Sequence, residues 1–266
     1  MNPMYGKDDL LHQLEQSGIS PQATVMVHTS VKSVGPLENG GDTLLDALME
    51  YFRPGLLLLP THTWDKVGSE TMVYDPLTSP PCVGILPKLL LQRKEAHRSL
   101  HPTHSIAAVG RRAEEYIQGE EDTGTPAPPS GCWGRLYDEK ASILLIGVGQ
   151  NRNTYLHGVE EYLDIPERLT PQPQEITIRL PDGSSIQRMF HRHYNPYTND
   201  VSQYYVKMEL AFRQGGALRD GQLGDAAVQI CDAVRCREIM EEVHRHWEFD
   251  PFIDDRPIPE SWYQSV

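Results

Sequence analysis

Positive charge is in short supply in this chain. Over 266 residues, 24 Lys and Arg face 37 Asp and Glu, giving a formal net charge of −13 with histidines neutral. That sign excludes a general nucleic-acid binder, whose affinity comes from neutralising phosphates. Long apolar runs are missing too. The longest, residues 56–59 and 143–149, fall far short of the ~20 residues that a membrane-spanning helix needs. Cysteine is scarce, and Cys82, Cys132, Cys231 and Cys236 match neither a redox nor a zinc-knuckle spacing, so the thiols are expected to be reduced and mostly structural. Residues 1–9 have neither the basic start nor the apolar core of a secretory signal, and the expected address is the cytoplasm. A Walker loop, a Gly-x-Ser-x-Gly elbow and a His-Glu-x-x-His pair are absent. Gly147-Val148-Gly149 follows an apolar segment, but Arg152 stands where a dinucleotide fingerprint needs its third glycine. The Rossmann reading fails at that residue, which must pack closely.

What is present is a loop-rich globular chain, with 21 Gly, 21 Pro and 39% hydrophobic residues. A chain of this length buries roughly 70–75% of its unfolded surface, enough for one core without disulfides or metal. Residues 1–266 are therefore read as a single domain. Spacing predicts an amphipathic helix over 8–18, a strand over 24–27, a helix from about 42 to 53, a strand over 55–60 and a helix over 84–95. Further strands are expected over 105–109 and 141–148, the second so uniformly apolar that both its faces must be covered. Pro181-Asp182-Gly183-Ser184 separates two alternating segments, 175–180 and 185–190, and reads as a hairpin. Helices within 201–214 and over 233–247, the latter capped by Asp232, close the chain. The expected class is α/β, a central mixed sheet flanked by helices with a small β-hairpin excursion in the C-terminal half.

Eleven histidines are the main chemical resource, and several fall at expected strand exits: His28, His62, the pair His101 and His104, and His157. His157 and Glu160 are three apart at the start of an expected helix, so they share a face. A carboxylate on one imidazole nitrogen leaves the other free as a base, and a solvated surface pair is the bland alternative. His191 and His193 would project from one strand face as metal ligands do, but they lie on the hairpin's outgoing arm, remote in sequence from the strand exits, with Arg188 and Arg192 opposing a cation. No metal is expected.

An ordered series of segments resembles the antibiotic N-acetyltransferase family, the aminoglycoside 3-N-acetyltransferases and their relatives. The series runs from Val27-His28-Thr29-Ser30-Val31-Lys32-Ser33-Val34-Gly35 through Gly40-Gly41 and Leu59-Pro60-Thr61 to His101-Pro102-Thr103-His104-Ser105-Ile106-Ala107-Ala108-Val109-Gly110. It ends with Leu144-Leu145-Ile146-Gly147-Val148-Gly149 and Asn153-Thr154-Tyr155-Leu156-His157-Gly158-Val159-Glu160. The resemblance spans about residues 7–245. It implies an α/β fold and transfer of an acetyl group from acetyl-coenzyme A to an amine, with His157 as catalytic base and Glu160 as its acidic partner. It also implies a cosubstrate channel formed by His28, Thr29, Ser30, Val31, Ser33, Val34 and Gly35, together with Val83, Gly84 and Ser105. The hydroxyls and amides of that loop, the helix N-terminus beyond it and the charge of Lys32 suit a coenzyme A arm.

The expected activity is N-acetylation of an aminoglycoside or related amine, by a monomer or homodimer, with neither nucleic acid nor membrane as partner. Two other readings stand beside it, a metal-dependent hydrolase built on the histidine clusters and a noncatalytic binder of coenzyme A or antibiotic. Acidic residues expected near the pocket mouth are Asp65, Glu70, Asp75 and the run Glu120-Glu121-Asp122. Asp65 and Asp75 are taken as the acceptor-binding candidates, and a solvated acidic face is the preferred reading of the run.

Overall fold

A computed structural model describes residues 4–264. Ten strands and eight α-helices form in the order α1 (Lys7–Gln16), β1 (Thr24–Thr29), α2 (Gly41–Tyr51), β2 (Leu56–Pro60), β3 (Val73–Tyr74), α3 (Leu86–Leu90), β4 (His97–Arg98), β5 (Ile106–Gly110) and α4 (Ala113–Tyr116). They continue as α5 (Cys132–Asp138), β6 (Ser142–Ile146), α6 (Tyr155–Tyr162), β7 (Gln174–Arg179), β8 (Ser185–Phe190), α7 (Glu209–Gln214), β9 (Leu218–Leu223), β10 (Ala226–Asp232) and α8 (Ala233–Arg245). Seven strands make the main sheet in the order β4-β5-β2-β1-β6-β10-β9. β1 is parallel to both β2 and β6, with Met26 opposite Leu58 and Val27 opposite Leu144, and the outer pairings are antiparallel.

Alternation decides which helices cover which face. Met26, Leu58, Ile143 and Leu145 point into a core completed by α5 to α8. Val25, Val27, Leu57, Leu59 and Leu144 point the other way, onto Leu10 and Leu14 of α1 and Leu44, Leu45 and Leu48 of α2. β6, with neighbours on both edges and helices on both faces, is the covered central strand its composition demands. On α8, Cys236, Ile239, Met240 and Val243 repeat at helical spacing and are buried. Asp232 caps it by accepting from Arg235 N at 3.0 Å, a contact typically worth ~1 kcal/mol.

The hairpin β7–β8 stands apart, joined by β3 into a three-stranded sheet with its own core of Val67, Tyr74, Ile176, Ile178 and Phe190. One expectation needs correction. The helix expected over 84–95 shrinks to Leu86–Leu90, because Pro87 fits only a first turn and the chain then leaves to add β4 at the sheet edge. The segment 201–214 starts as a 3-10 helix, Val201–Met208, and becomes α-helical only at Glu209. The β9–β10 hairpin was not anticipated, since Leu218-Arg219-Asp220-Gly221-Gln222-Leu223 is a polar edge strand with little strand signature. Among the described residues no helix is long and apolar enough to cross a membrane.

Candidate active site

Because β1, β2 and β6 are parallel, their carboxyl ends share one edge of the sheet, and antiparallel β5 begins at that edge. The edge delivers His28 and Thr29 from β1, His62 just beyond β2, Val148 beyond β6, and Thr103 and His104 before β5. These residues line a cavity of about 710 Å³, inside the ~300–1,000 Å³ range of small-molecule sites. Gly147, at φ +65, ends β6 and passes so close to Ser33 that a Cβ there would meet it at 2.4 Å. The chain then makes a short 3-10 turn, Gln150–Arg152, and enters α6, which carries His157 into the cavity wall.

The surroundings of His157 are a chain of hydrogen bonds from four segments. Its Nδ1 lies 2.7 Å from the Tyr205 hydroxyl and 3.4 Å from Glu160 Oε2. Tyr205 donates to that same Glu160 oxygen, so the phenol bridges imidazole and carboxylate. Glu160 Oε1 accepts from Arg168 Nε at 2.6 Å, and Arg168 Nη2 donates to Asp250 Oδ2 at 2.7 Å. Burial pushes the Glu160 carboxyl up, but hydrogen bonding toward His157 and the Arg168 charge outweigh it and hold the group below the ordinary carboxylate range. Burial and the neighbouring Glu160 charge keep Tyr205 protonated well above the usual phenol range. An imidazole linked this way to an ionised carboxylate is equipped to take up a proton.

His193 is the main surprise. Its ring stacks on His157 with centroids 4.1 Å apart at 29°, and it also contacts His104 at 4.8 Å. The 191–193 arm is remote in sequence from the strand exits. In fact the chain leaving β8 folds back, with Leu169 bridged to His193, and returns His193 to the cavity. His104 in turn contacts His62, whose Nε2 lies 3.2 Å from Thr154 Oγ1. Burial lowers the pKa of His62, His104 and His193 well below the ordinary imidazole value, and that of His28 to about 3. His101 serves the backbone instead: Nδ1 accepts from the amides of Thr103 and His104, and Nε2 donates to Thr125 O. Among the described residues no group of three or more His, Cys, Asp or Glu is arranged to hold a metal ion.

The channel candidates separate into two groups. His28, Thr29, Val83 and Gly84 line the cavity, Gly84 with φ +93. Ser30, Val31, Ser33, Val34 and Gly35 do not. Ser33 donates to Ser30 Oγ at 2.8 Å, Val34 is fully buried, Val31 packs against the core, and Gly35 approaches Asp225 so closely that a Cβ would clash at 2.3 Å. Ser105 is buried behind the wall, donating to Thr61 O. The start of α2 packs under Leu89, no α2 residue lines the cavity, and Lys32 is exposed.

The acidic candidates lie elsewhere. Asp75 accepts from Leu77 N and pairs with Arg179, Asp65 is exposed, and neither lines the cavity. Glu120 is no part of a solvated face, since it is 1% exposed and accepts from Cys132 N at the start of α5. Tyr205 comes from the 3-10 helix Val201–Met208, and Arg168 and Asp250 from irregular segments; none has a motif around it to mark it in the sequence.

Five buried polar atoms belonging to cavity-lining residues have no hydrogen-bond partner among the described residues: His28 Nε2, Thr29 Oγ1, His62 Nδ1, Asn153 Oδ1 and His193 Nε2. Each such group ordinarily costs ~1–3 kcal/mol, so their concentration here fits a ligand that supplies the missing partners.

A mixed sheet covered by helices on both faces, with a cavity at the ends of its parallel strands, defines an α/β protein with a small-molecule site. The sequence profile of the aminoglycoside 3-N-acetyltransferases matches residues 26–245, and the chain belongs to that family. Aminoglycoside N(3)-acetyltransferase IV from a Salmonella species is 29% identical over 251 residues, covering 93% of this chain and 89% of the relative. A histidine-to-alanine variant of the acetyltransferase AAC(3)-IVa, in complex with a gentamicin, is 27% identical with a TM-score of 0.78, covering 99% of this chain and 96% of that one. AAC-IIIb in its binary complex with CoASH shares the fold, with a TM-score of 0.79 at 22% identity, covering 94% of this chain and 100% of that one. The protein is therefore an acetyltransferase.

Proposed function

We propose that the protein transfers an acetyl group from acetyl-coenzyme A to an amine of an aminoglycoside or related compound, with His157 as general base. The observation that carries this is the bridged contact among His157, Tyr205 and Glu160. Family membership and the CoASH and gentamicin complexes of relatives support donor and acceptor.

Acetyl-coenzyme A supplies an activated acetyl thioester. His28 Nε2, Thr29 Oγ1 and Asn153 Oδ1, buried without protein partners, fit a polar arm laid against the ends of β1 and β6. An ammonium has no lone pair for attack, so a proton must leave before the amine adds to the thioester carbonyl. With Tyr205 donating to Glu160, its oxygen is free to accept from His157 Nδ1–H, which leaves the lone pair on Nε2. Ionised Glu160, held by Arg168, stabilises the positive imidazole that follows. The amine itself attacks, the thioester C–S bond then breaks to expel the coenzyme A thiolate, and the proton held by His157 passes to that sulfur, so no acylated side chain is required.

Release of the coenzyme A thiol in the presence of a panel of aminoglycosides and other amines tests the reading. The wild type is expected to turn over at least one amine, and His157→Ala to lower kcat by ~10²–10⁴-fold, the usual worth of a positioned base. No turnover by the wild type, or an unchanged rate in the variant, would sink it.

A further inference from the structure

The turn between β6 and α6 is tied to β10 by a buried amide network that ends at the cavity wall. Gln150, fully buried, opens the 3-10 turn Gln150–Arg152. Its Nε2 donates to Gln229 Oε1 at 2.9 Å and to Cys231 Sγ at 3.2 Å. Gln229 and Cys231 are two apart on β10, so they point from one face of that strand. Both Nε2 hydrogens are thereby engaged, and Gln150 Oε1 is left to accept. It accepts from Asn153 Nδ2 at 2.9 Å, and a second bond, from Asn153 N to Gln150 O at 2.9 Å, closes the turn. Asn153 is buried and lines the cavity, and its Oδ1 has no partner among the described residues.

An asparagine amide presents a donor and an acceptor, and rotating it by half a turn exchanges them. Here the exchange is blocked: turned over, Asn153 would set its carbonyl oxygen against Gln150 Oε1, two acceptors with no proton between them. Resting on the N-acetyltransfer reading above, we infer that Gln150 is a positioning residue for the donor substrate, holding Asn153 Oδ1 as a fixed acceptor for an amide N–H of the pantetheine arm of acetyl-coenzyme A. That arm carries secondary amides, whose N–H groups need acceptors once the arm leaves water. Asn153 follows β6, the strand paired with β1, and the end of β1 carries His28 Nε2 and Thr29 Oγ1, likewise buried and unpartnered among the described residues. The unpartnered atoms thus flank one strip, the carboxyl ends of two adjacent strands. Thr154, next in the chain, touches His62, and α6 with His157 follows at once. The contact that grips the arm and the base that serves the reaction are therefore carried by one continuous stretch of backbone.

The test measures coenzyme A binding by calorimetry, and by thiol release the KM values for acetyl-coenzyme A and for the preferred amine of the panel. Asn153→Ala is expected to raise the coenzyme A Kd and the KM for acetyl-coenzyme A by about three- to tenfold, the worth of one hydrogen bond, with the KM for the amine and the pH profile of kcat unchanged. Pantetheine, which has the amides without the nucleotide, is expected to show the same rise in Kd. Gln150→Leu is expected to match Asn153→Ala, and Gln150→Glu, whose carboxylate still accepts from Asn153 Nδ2, to stay within about twofold of the wild type. The double variant separates positioning from general loosening, because with Asn153 already alanine Gln150→Leu should add nothing. A coenzyme A Kd unchanged by Asn153→Ala, a rise that falls on the KM for the amine instead, a further rise in the double variant, or a rise lost with pantetheine overturns the inference and leaves acetyl transfer standing. Should Gln150→Leu fail to fold, a loss of coenzyme A affinity in Gln150→Glu as large as that in Asn153→Ala overturns it equally. A wild type that neither binds coenzyme A nor turns over any amine removes the acetyltransfer reading beneath it.

Discussion

At the residue scale, the bridge through Tyr205 is the most specific device in the molecule. At 3.4 Å the His157 and Glu160 groups are too far apart for a good direct hydrogen bond, and the phenol closes that gap. Tyr205→Phe is expected to leave KM for acetyl-coenzyme A unchanged and to lower kcat by ~10–100-fold, the cost typical of losing an orienting partner. It should also move the pH profile of kcat, which a purely structural lesion would not do. An unchanged kcat and profile would remove Tyr205 from the relay. Glu160→Gln is expected to be costly for stability as well, since it leaves the 3%-exposed Arg168 with Asp250 alone; breaking a buried pair commonly costs ~3–5 kcal/mol. Urea unfolding of that variant checks the figure. The i, i+3 spacing of His157 and Glu160 was readable because a helix fixes it. Tyr205 was not, because a 3-10 segment 48 positions away meets His157 only through tertiary folding.

At the scale of elements, β1, β2, β6 and α8 were legible because apolar runs and a cap specify them locally. The β9–β10 hairpin was illegible because its outer strand faces solvent and owes its place to pairing with β10. That hairpin nevertheless supports the cavity. Its turn presses Gly224, at φ +59, against Val34 O, where a Cβ would lie at 2.2 Å, and Asp225 N donates to the same carbonyl at 2.9 Å. The loop after β1 is thus wedged from outside the site, and Ser30, Ser33 and Gly35 contribute to that wedge. Gly224→Ala is expected to destabilise the fold by ~1–3 kcal/mol, combining an unfavourable φ with overpacking. A denaturant midpoint equal to that of the wild type would show the turn to be free to relax. The return of the 191–193 arm to the cavity was illegible for a related reason: distance along the sequence does not reveal the fold-back that the bridge between Leu169 and His193 sets.

At the scale of the whole molecule, buried imidazoles set the response to acid. Burial lowers His28 to about 3 and His101 to about 4, and His62, His104 and His193 move in the same direction. An unfolded imidazole titrates near 6.5, so between these values the unfolded chain binds more protons and stability is lost as pH falls. Glu120 and Glu161, both raised by burial to about 7, act oppositely over the range between an ordinary carboxylate value and 7. Five imidazoles against two carboxyls leave an excess of three protons on the unfolded chain, on the order of 2–4 kcal/mol per pH unit near pH 5. Denaturant midpoints are expected to drop between pH 7 and pH 5, and to drop less in His28→Asn; a flat profile would show the imidazoles to be charged in the folded state. The small sheet carries a different kind of consequence. Its own core of Val67, Tyr74, Ile176, Ile178 and Phe190 supports the arm bearing Arg192 and His193, while Tyr155, Leu156 and Val159 of α6 and Tyr205 pack in the main core. The arm that lays His193 on His157 is therefore built on one core and the helix carrying His157 on another, so a substitution in the small sheet can shift the cavity wall without unpacking α6.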